Sequence, residues 1–274
     1  MTEWANGYVE ANGIKIFYHR TGAGSNKPPI LLLHGFTDNG LCWSPVARDL
    51  EETYDVIMTD ARGHGRTEGP IGQFSINLLG DDAAAVIRGL GLDKPFLFGH
   101  SMGAVTAEAV VAKYPDLVRA AILEDPPFFI PKDSTPEELQ KLQANDHQNL
   151  AFQKLPLEER IATGRTHNPN WSEEEIIPWA ASKGEYSPDI MQHRAAFRVF
   201  PWRDLLSQIS RPILLITGDT ARGALVAPEV AREVAALCKS CEVANISGAG
   251  HCIHRDRYNE TMQAVWDFLR NHQA

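Results

Sequence analysis

The stretch Phe96-Leu-Phe-Gly-His-Ser-Met-Gly103 decides the fold of this chain, because it joins a short apolar strand to a helix through a glycine-rich turn. The helix that follows, predicted over Met102–Tyr114, is mostly apolar. In this setting Gly-x-Ser-x-Gly forms a sharp elbow that exposes the serine at the carboxyl end of a sheet. The free N–H groups and the positive end of the helix dipole then favour an oxyanion nearby. Ser101 is therefore the candidate nucleophile.

Outward from this elbow, short apolar runs alternate with helical stretches. The predicted strands are Ile30–Leu33, Val56–Thr59, Phe96–Phe98, Ala120–Leu123, Ile213–Thr217 and Val243–Ile246. The predicted helices between and after them are Ile76–Leu90, Met102–Tyr114, Pro228–Leu237 and Asn259–Asn271. Apolar runs of this length, bounded by Gly, Pro or Asp, are typical of parallel strands covered on both faces. The repeated units predict an α/β fold with a mostly parallel sheet and helices on both faces.

An antiparallel hairpin precedes these units. Tyr8–Glu10 and Ile14–Tyr18 flank Asn12-Gly13, a dipeptide that tolerates the positive φ angles of a tight turn. In the second strand the apolar residues at 14, 16 and 18 alternate with Lys15 and Phe17. This alternation predicts one better-buried face, with Phe17 on the opposite face.

Between Phe128 and about Trp202 the alternation stops, and the sequence is helical with several prolines. Four helices are predicted, over Pro136–Lys154, Pro156–Gly164, Ser172–Lys183 and Pro188–Phe200. They predict a helical lid at 128–205, inserted into a core formed by 1–127 and 206–274. Aromatic residues expected to pack mostly between lid and core are Phe128, Phe129, Trp171, Trp179, Tyr186 and Trp202. Basic residues that either face solvent or bind a substrate carboxylate are Arg160, Arg165, Arg194, Arg198 and His193.

The motif Leu33-His-Gly-Phe36 lies directly after the first parallel strand. Its glycine lets the backbone turn, so that the Phe36 N–H can point toward Ser101. Together with the Met102 N–H it would form a two-donor oxyanion hole. His34 is better explained as a hydrogen-bonding residue that ties this loop than as a catalytic base.

The candidate base lies on Gly248-Ala-Gly-His251, after the last predicted strand. A histidine on this loop can reach over the edge of the sheet toward Ser101, accept its proton and return that proton to the leaving group. His254 is the local competitor, but it falls at the start of the following helix, so His251 is favoured. A metal site built from His251, Cys252 and His254 would lack a fourth ligand.

These motifs make the sequence similar to the α/β-hydrolase superfamily over essentially its whole length. His34-Gly35, Arg62-Gly-His-Gly65, the elbow and Gly250-His251 occur in the order and spacing of that family. The resemblance implies an α/β-hydrolase fold of the serine hydrolase branch with a helical lid. The dehalogenase and epoxide-hydrolase branches are similar too, but they carry Asp at the position of Ser101.

The resemblance also implies an acid that orients the histidine, and here the sequence departs from the usual pattern. Family members commonly carry it three residues after the glycine that ends Ile213–Thr217, which in this chain is Ala221. Asp219 comes only one residue after that glycine. The other known location follows the strand after the nucleophile helix, where Glu124 and Asp125 lie. Asp125 is favoured because it ends the strand and successive side chains face opposite ways, Asp219 is second, and Glu124 is interpreted as structural.

Composition limits the partners. A net charge of −9 and a pI near 5.6 argue against nucleic acid. No signal peptide or apolar run of ~18 residues is visible, so no membrane association is predicted and a cytoplasmic location is expected. Cys238-Lys-Ser-Cys241 has CxxC spacing, but no second pair faces it, so it is interpreted as structural. No metal or cofactor is expected, and the partner is a small-molecule substrate bound by a monomer or homodimer.

The sequence thus predicts a serine hydrolase that cleaves a small ester, lactone or amide through an acyl-enzyme intermediate, with a carboxylate-bearing substrate as one possibility. Three other functions fit the same candidate residues. They are C–C bond hydrolysis, cofactor-free perhydrolysis, and ligand binding by a receptor with slow turnover. The sequence does not name the substrate.

Overall fold

The apolar runs form the centre of a sheet in the computed structural model, which describes residues 4–71, 74–128 and 135–273, with the backbone alone at 136–139, 195–196 and 198–199. The strands are β1 (Ala5–Ala11), β2 (Ile14–Arg20), β3 (Pro29–Leu33), β4 (Asp55–Thr59), β5 (Phe96–His100), β6 (Ala120–Glu124), β7 (Ile213–Thr217) and β8 (Cys241–Asn245). Their order in the sheet is β1-β2-β4-β3-β5-β6-β7-β8. β2 pairs antiparallel with β1 and β4, and the remaining pairs are parallel. The predicted fold class is therefore confirmed.

Helices cover both faces of this sheet, because every residue of β4, β5, β6 and β7 is buried. The core helices are α1 (Ser44–Leu50), α2 (Ile76–Gly89), α3 (Met102–Lys113), α8 (Pro228–Leu237), α9 (Ile253–Asp256) and α10 (Tyr258–Asn271). Alternate strand residues serve two separate hydrophobic cores. Leu31 and Leu97 lie in the core that includes α2 and α3, whereas Leu32 and Phe98 lie in the core that includes α1 and α10.

Two strands differ from the sequence-based expectation. Phe17, predicted on the less buried face of β2, is only 2% exposed. Its N–H donates to Thr67 Oγ1 at 2.8 Å, and the Arg66 guanidinium lies 4.7 Å from the centroid of its ring, so a loop covers this side of the strand. β8 begins at Cys241, and Val243 is 41% exposed. The last apolar run is an edge strand and is not covered on both faces.

A helical insertion separates β6 from β7. Its described elements are α4 (Pro136–Gln153), α5 (Leu157–His167), α6 (Glu173–Ser182), a 3-10 segment (Pro188–Val199) and α7 (Trp202–Leu206). The last of these packs against α3 and α8 of the core, although it lies mostly inside the predicted lid segment. Trp202 there stacks on Phe128 with ring centroids 4.7 Å apart, and Phe129 lies outside the described residues. Among the helices that the structure describes, none is long and apolar enough to cross a bilayer.

Candidate active site

The turn between β5 and α3 places Ser101 at the carboxyl end of the sheet. Ser101 has φ 53° and ψ −112°, a strained conformation for a residue with a side chain. The glycines on either side are required by space, because a Cβ on Gly99 would collide with the Gly103 carbonyl, and one on Gly103 with the Leu33 carbonyl. The tight turn therefore holds the Ser101 hydroxyl where it can meet a histidine from a distant loop.

A continuous chain of hydrogen bonds joins Ser101, His251 and Asp125. The carboxylate of Asp125 can only accept, so His251 donates its Nδ1–H to Asp125 Oδ2, at 2.6 Å. The Nε2 of His251 is then free to accept from the Ser101 hydroxyl, at 3.1 Å. The Asp125 side chain is fully buried, whereas that of His251 is 33% exposed. The geometry allows His251 to remove the proton of Ser101.

The loop after β7 supplies the donors that hold the Asp125 carboxylate. The Leu225 N–H donates to both of its oxygens, at 2.8 and 3.0 Å, and the Val226 N–H donates to Oδ1 at 3.0 Å. This loop begins where the family's acid commonly lies. In this chain it donates backbone N–H groups to Asp125, which directly follows β6.

The two other candidate acids have different partners. Asp219 Oδ2 accepts from the Gly248 N–H at 2.7 Å, so it supports the turn that leads to the histidine loop. Glu124 Oε1 accepts from the backbone N–H of His254 at 2.9 Å, and its Oε2 lies 2.7 Å from Nδ1 of the same histidine. Neither carboxylate is within hydrogen-bond distance of His251 in the part of the chain that the structure describes.

The Phe36 and Met102 N–H groups lie at the two turns that face Ser101. Phe36 is in the loop after β3, and Met102 is the first residue of α3. Among the hydrogen bonds of the described residues, neither N–H is donated to a protein acceptor. Both residues line the cavity that contains Ser101. Two unused donors near a nucleophile can bind an oxyanion.

Among the described residues, the side-chain hydrogen bonds of His34 do not involve Ser101, His251 or Asp125. Its Nε2 accepts from the Ala61 N–H at 2.9 Å, so its Nδ1–H donates to the Gly35 carbonyl at 2.8 Å. Burial lowers the pKa of His34 to about 3, which keeps the ring neutral. The structure places His34 as a residue that ties two loops together.

Ser101 and His251 open into a cavity of about 690 Å³ between core and insertion. The insertion contributes residues from α4, α6 and the 3-10 segment, namely Leu142, Gln143, Asp146, Asn149, Trp179, Lys183, Met191, Gln192, Arg194 and Phe197. The cavity has the size of a small-molecule site and combines apolar side chains with a few polar groups.

Comparison with known proteins agrees with this fold. A family model described as alpha/beta hydrolase fold matches residues 28–159. A solved structure of E-2-(acetamidomethylene)succinate hydrolase superimposes with a TM-score of 0.83 at 24% identity, covering 98% of this chain and 100% of that one. The chain therefore has the α/β-hydrolase fold and is similar in sequence to proteins of that superfamily.

Two curated relatives match this chain over nearly their whole length. The 2-(acetamidomethylene)succinate hydrolase of Mesorhizobium japonicum is 27% identical over 276 residues, covering 95% of this chain and 94% of the relative. The N-formylmaleamate deformylase of Pseudomonas putida is 29% identical over 271 residues, covering 97% and 96%. The chain is therefore an enzyme with hydrolase activity.

The basic residues predicted over the nucleophile have separate environments in this hydrolase. Arg194 lines the cavity, and its Nη1 donates to Asp146 Oδ1 at 2.7 Å. Arg165 forms an exposed ion pair with Glu173 on the outer surface of the insertion. The remaining three are described as follows: Arg160 donates to the Ala181 carbonyl, His193 packs near Phe74, and the side chain of Arg198 lies outside the described residues.

Sequence reasoning missed three residues that line the cavity of the hydrolase: His100, Lys183 and Arg255. The Nε2–H of His100 donates to the His251 carbonyl at 2.9 Å, and burial lowers the pKa of His100 to about 3. Lys183 follows Trp179 by four residues in the helix predicted over Ser172–Lys183, and this spacing was the available signal for it. Arg255 gave no signal, because its partners come from distant parts of the chain.

The cysteine pair lies away from this site. Cys238 is 1% exposed in the hydrophobic core. Burial raises the pKa of the Cys241 thiol to about 12, the opposite of the lowered pKa that a redox CxxC pair requires. These environments agree with the structural interpretation.

Proposed function

We propose that this α/β hydrolase is a serine hydrolase that cleaves a small ester, lactone or amide through an acyl-enzyme intermediate. The observation that carries the proposal is the hydrogen-bond chain from Ser101 through His251 to Asp125, open to a cavity of about 690 Å³. Epoxide hydrolases and dehalogenases carry Asp at the position of Ser101, so this chain is proposed to use a different nucleophile from theirs.

The proposed reaction follows from the geometry. His251 Nε2 accepts the Ser101 proton as Oγ attacks the substrate carbonyl, and the carbonyl oxygen becomes an oxyanion held by the Phe36 and Met102 N–H groups. The imidazolium then gives its proton to the leaving alkoxide or amine, which breaks the C–O or C–N bond. A water molecule, deprotonated by His251, hydrolyses the acyl-enzyme and restores the Ser101 hydroxyl.

Asp125 has two roles in this proposal. Its carboxylate fixes the tautomer of His251 with the proton on Nδ1, and its negative charge stabilises the imidazolium that forms during the reaction. The Leu225 and Val226 N–H groups satisfy the carboxylate inside the protein, so it remains fixed without water. An oriented histidine therefore needs no reorganisation when it accepts the proton.

Among the substrate classes, we favour an amide or ester that carries a carboxylate. Arg194 supports this preference, because it lines the cavity together with Asp146 and a substrate carboxylate could compete with Asp146 for its guanidinium. The names of both curated relatives describe carboxylate-bearing amides, a succinate derivative and a maleamate derivative. Neutral esters and lactones remain in the test panel as the contrasting class.

The test is labelling with a fluorophosphonate followed by a substrate panel. We expect one label per chain, mapped to the peptide that contains Ser101, and no label on Ser101→Ala. The panel compares p-nitrophenyl esters, lactones and amides with and without a carboxylate. A folded wild-type protein that is neither labelled nor active on any of them would contradict the proposal.

The same panel includes the other functions considered from the sequence. Turnover of a coloured dienol substrate would indicate C–C hydrolysis, and halide oxidation with acetate and peroxide would indicate perhydrolysis. A single slow turnover accompanied by strong thermal stabilisation would indicate a receptor.

A further inference from the structure

Four residues spaced by four lie in or beside α6, and we name them the α6 face: Trp171 directly before the N-cap Ser172, Glu175 and Trp179 within the helix, and the C-cap Lys183. Residues four apart lie on the same side of a helix, so Glu175, Trp179 and Lys183 lie together. The Trp171 side chain reaches the same side, because its ring centroid lies 6.0 Å from that of Trp179. The two charged members are buried, with Glu175 3% and Lys183 9% exposed. Buried charges require partners, and those partners lie beside the proposed catalytic groups.

Asp38 joins the α6 face to both catalytic loops. Lys183 Nζ donates to Asp38 Oδ1, to Thr37 Oγ1 at 2.9 Å and to the Thr37 carbonyl at 3.2 Å. Arg255 Nη2 donates to the other Asp38 oxygen at 2.9 Å. Burial alone would raise the pKa of Asp38, but the charges of Arg255 and Lys183 hold it well below its ordinary value. Thr37 follows Phe36 directly, so this ionised carboxylate fixes the backbone that carries one oxyanion donor.

Asp256 makes a second connection from the insertion to the histidine loop. The Trp171 Nε1–H donates to Asp256 Oδ1 at 2.8 Å, and the Gly250 N–H donates to Oδ2 at 2.7 Å. Gly250 directly precedes His251. The guanidinium of Arg255 also lies 5.2 Å from the centroid of the Trp171 ring. Both loops that carry reacting groups are therefore bound to residues at the two ends of α6.

We propose that the α6 face positions His251 and the Phe36 N–H for the reaction, acting through Asp256, Arg255 and Asp38. This inference rests on the proposed serine hydrolase function. The rate of a catalysed step depends steeply on the positions of the reacting groups, since a displacement of about 1 Å caused by a remote mutation can reduce the rate by ~100-fold. The insertion then determines the rate of the chemical step as well as the shape of the cavity.

The cleanest test is Trp171→Phe, because it removes one N–H and keeps an aromatic ring under Arg255. Trp171 is not among the cavity-lining residues, so substrate binding should change little. We expect kcat to fall by roughly 10-fold and KM to stay within about twofold, since the loss is one of positioning. The rate of fluorophosphonate labelling, which does not depend on the substrate's binding groups, should fall in parallel.

Lys183→Met is the second variant, and Lys183→Arg is its rescue, because arginine can restore the ion pair with Asp38. Arg165→Met is the matched control, since it removes an exposed ion pair of the same insertion and should leave kcat unchanged. Titration with the fluorophosphonate gives kcat per competent enzyme, and thermal melting measures stability separately. If Lys183→Met does not fold, the kcat and KM of Trp171→Phe still test whether the α6 face positions the reacting groups.

The outcomes distinguish failure of this inference from failure of the proposed function on which it rests. Labelling of wild-type protein at Ser101 with kcat unchanged in Trp171→Phe would overturn the α6 face as a positioning element and leave the function intact. A rise in KM alone would show that the insertion only binds substrate, which also overturns the inference. Failure of the wild-type protein to react would contradict the proposed function.

Discussion

Two carboxylate–histidine pairs lie side by side at the end of β6, and they have opposite environments. Asp125 pairs with His251 at 2.6 Å, and Glu124 pairs with His254 at 2.7 Å. The His251 side chain is 33% exposed and faces the cavity, whereas the His254 side chain is 1% exposed. Pairing with an acid is therefore common to both, whereas access to the cavity and to Ser101 belongs to His251.

The backbone explains how two consecutive acids reach the same loop. Successive side chains of a strand face opposite ways, but Asp125 has φ 42° and so departs from strand geometry directly after Glu124. His254 stacks on Trp43, with ring centroids 4.7 Å apart, and this contact seals its pair inside the core. A histidine that serves as a base must combine an acid partner with an open side, and of these two only His251 does.

We call Asp125–His251, which faces the cavity, the open pair. The largest expected effect comes from substituting its histidine or Ser101, the residue that this histidine contacts. Ser101→Ala and His251→Ala should each reduce kcat by roughly 10⁴- to 10⁶-fold, and the double variant should be no worse, because the residues act as a unit. Steady-state kinetics on the best panel substrate measures this, with circular dichroism as the folding control. Substantial activity in His251→Ala would move the base elsewhere.

Asp125→Asn should have the next largest effect. The amide keeps the size of the side chain but removes the charge and favours the wrong tautomer of His251, so kcat should fall by about 10⁴-fold. The same kinetic assay applies. A severe loss in Asp219→Asn and a mild one here would assign the acid to the loop after β7.

We call the buried Glu124–His254 pair the sealed pair. Breaking it should affect the stability of the protein and not its turnover. Glu124→Gln leaves His254 without its buried charged partner and should lower the free energy of unfolding by roughly 3 kcal/mol. Urea denaturation measures this change, and kcat per titrated active site should stay within about tenfold of wild type. A large loss of kcat at unchanged stability would give the sealed pair a direct catalytic role.

The sealed pair also predicts a pH dependence of stability. Burial alone would raise the pKa of Glu124, but its contact with His254 lowers it from 4.5 to about 2. A lowered folded-state pKa stabilises the protein above the unfolded value, and this contribution is lost as pH falls from 4.5 toward 2. The stability difference between wild type and Glu124→Gln should therefore shrink over that range in urea titrations. A constant difference would mean that Glu124 is not ionised.

Asp219→Asn should have the smallest effect. It weakens one hydrogen bond to the Gly248 N–H by roughly 1 kcal/mol, so kcat should fall by less than about tenfold. Comparison with Asp125→Asn under identical conditions measures the difference between a supporting carboxylate and one bound to the base.

The sequence by itself determined the fold, and the structure confirms it. Glycines at 99 and 103 and the apolar run before them specify the strand–turn–helix elbow, since no other residue fits that turn. The runs at Ile30–Leu33 and Ile213–Thr217 became buried parallel strands because neither has a polar face to expose. These signals are local, because each depends only on residues that are neighbours in the sequence. The catalytic roles assigned to Ser101 and His251 stay predictions.

Only the tertiary structure decided which groups meet across long distances in sequence. Asp125 and Asp219 both follow strands of the sheet, and their spacing alone could not show that the loop after β7 turns its N–H groups toward Asp125. The helical spacing of Lys183 does not show that it contacts Asp38, 145 residues away, and no pattern in the sequence shows that Arg255 contacts the same carboxylate, 217 residues away. Such contacts depend on how separate elements pack, and packing is a property of the whole chain.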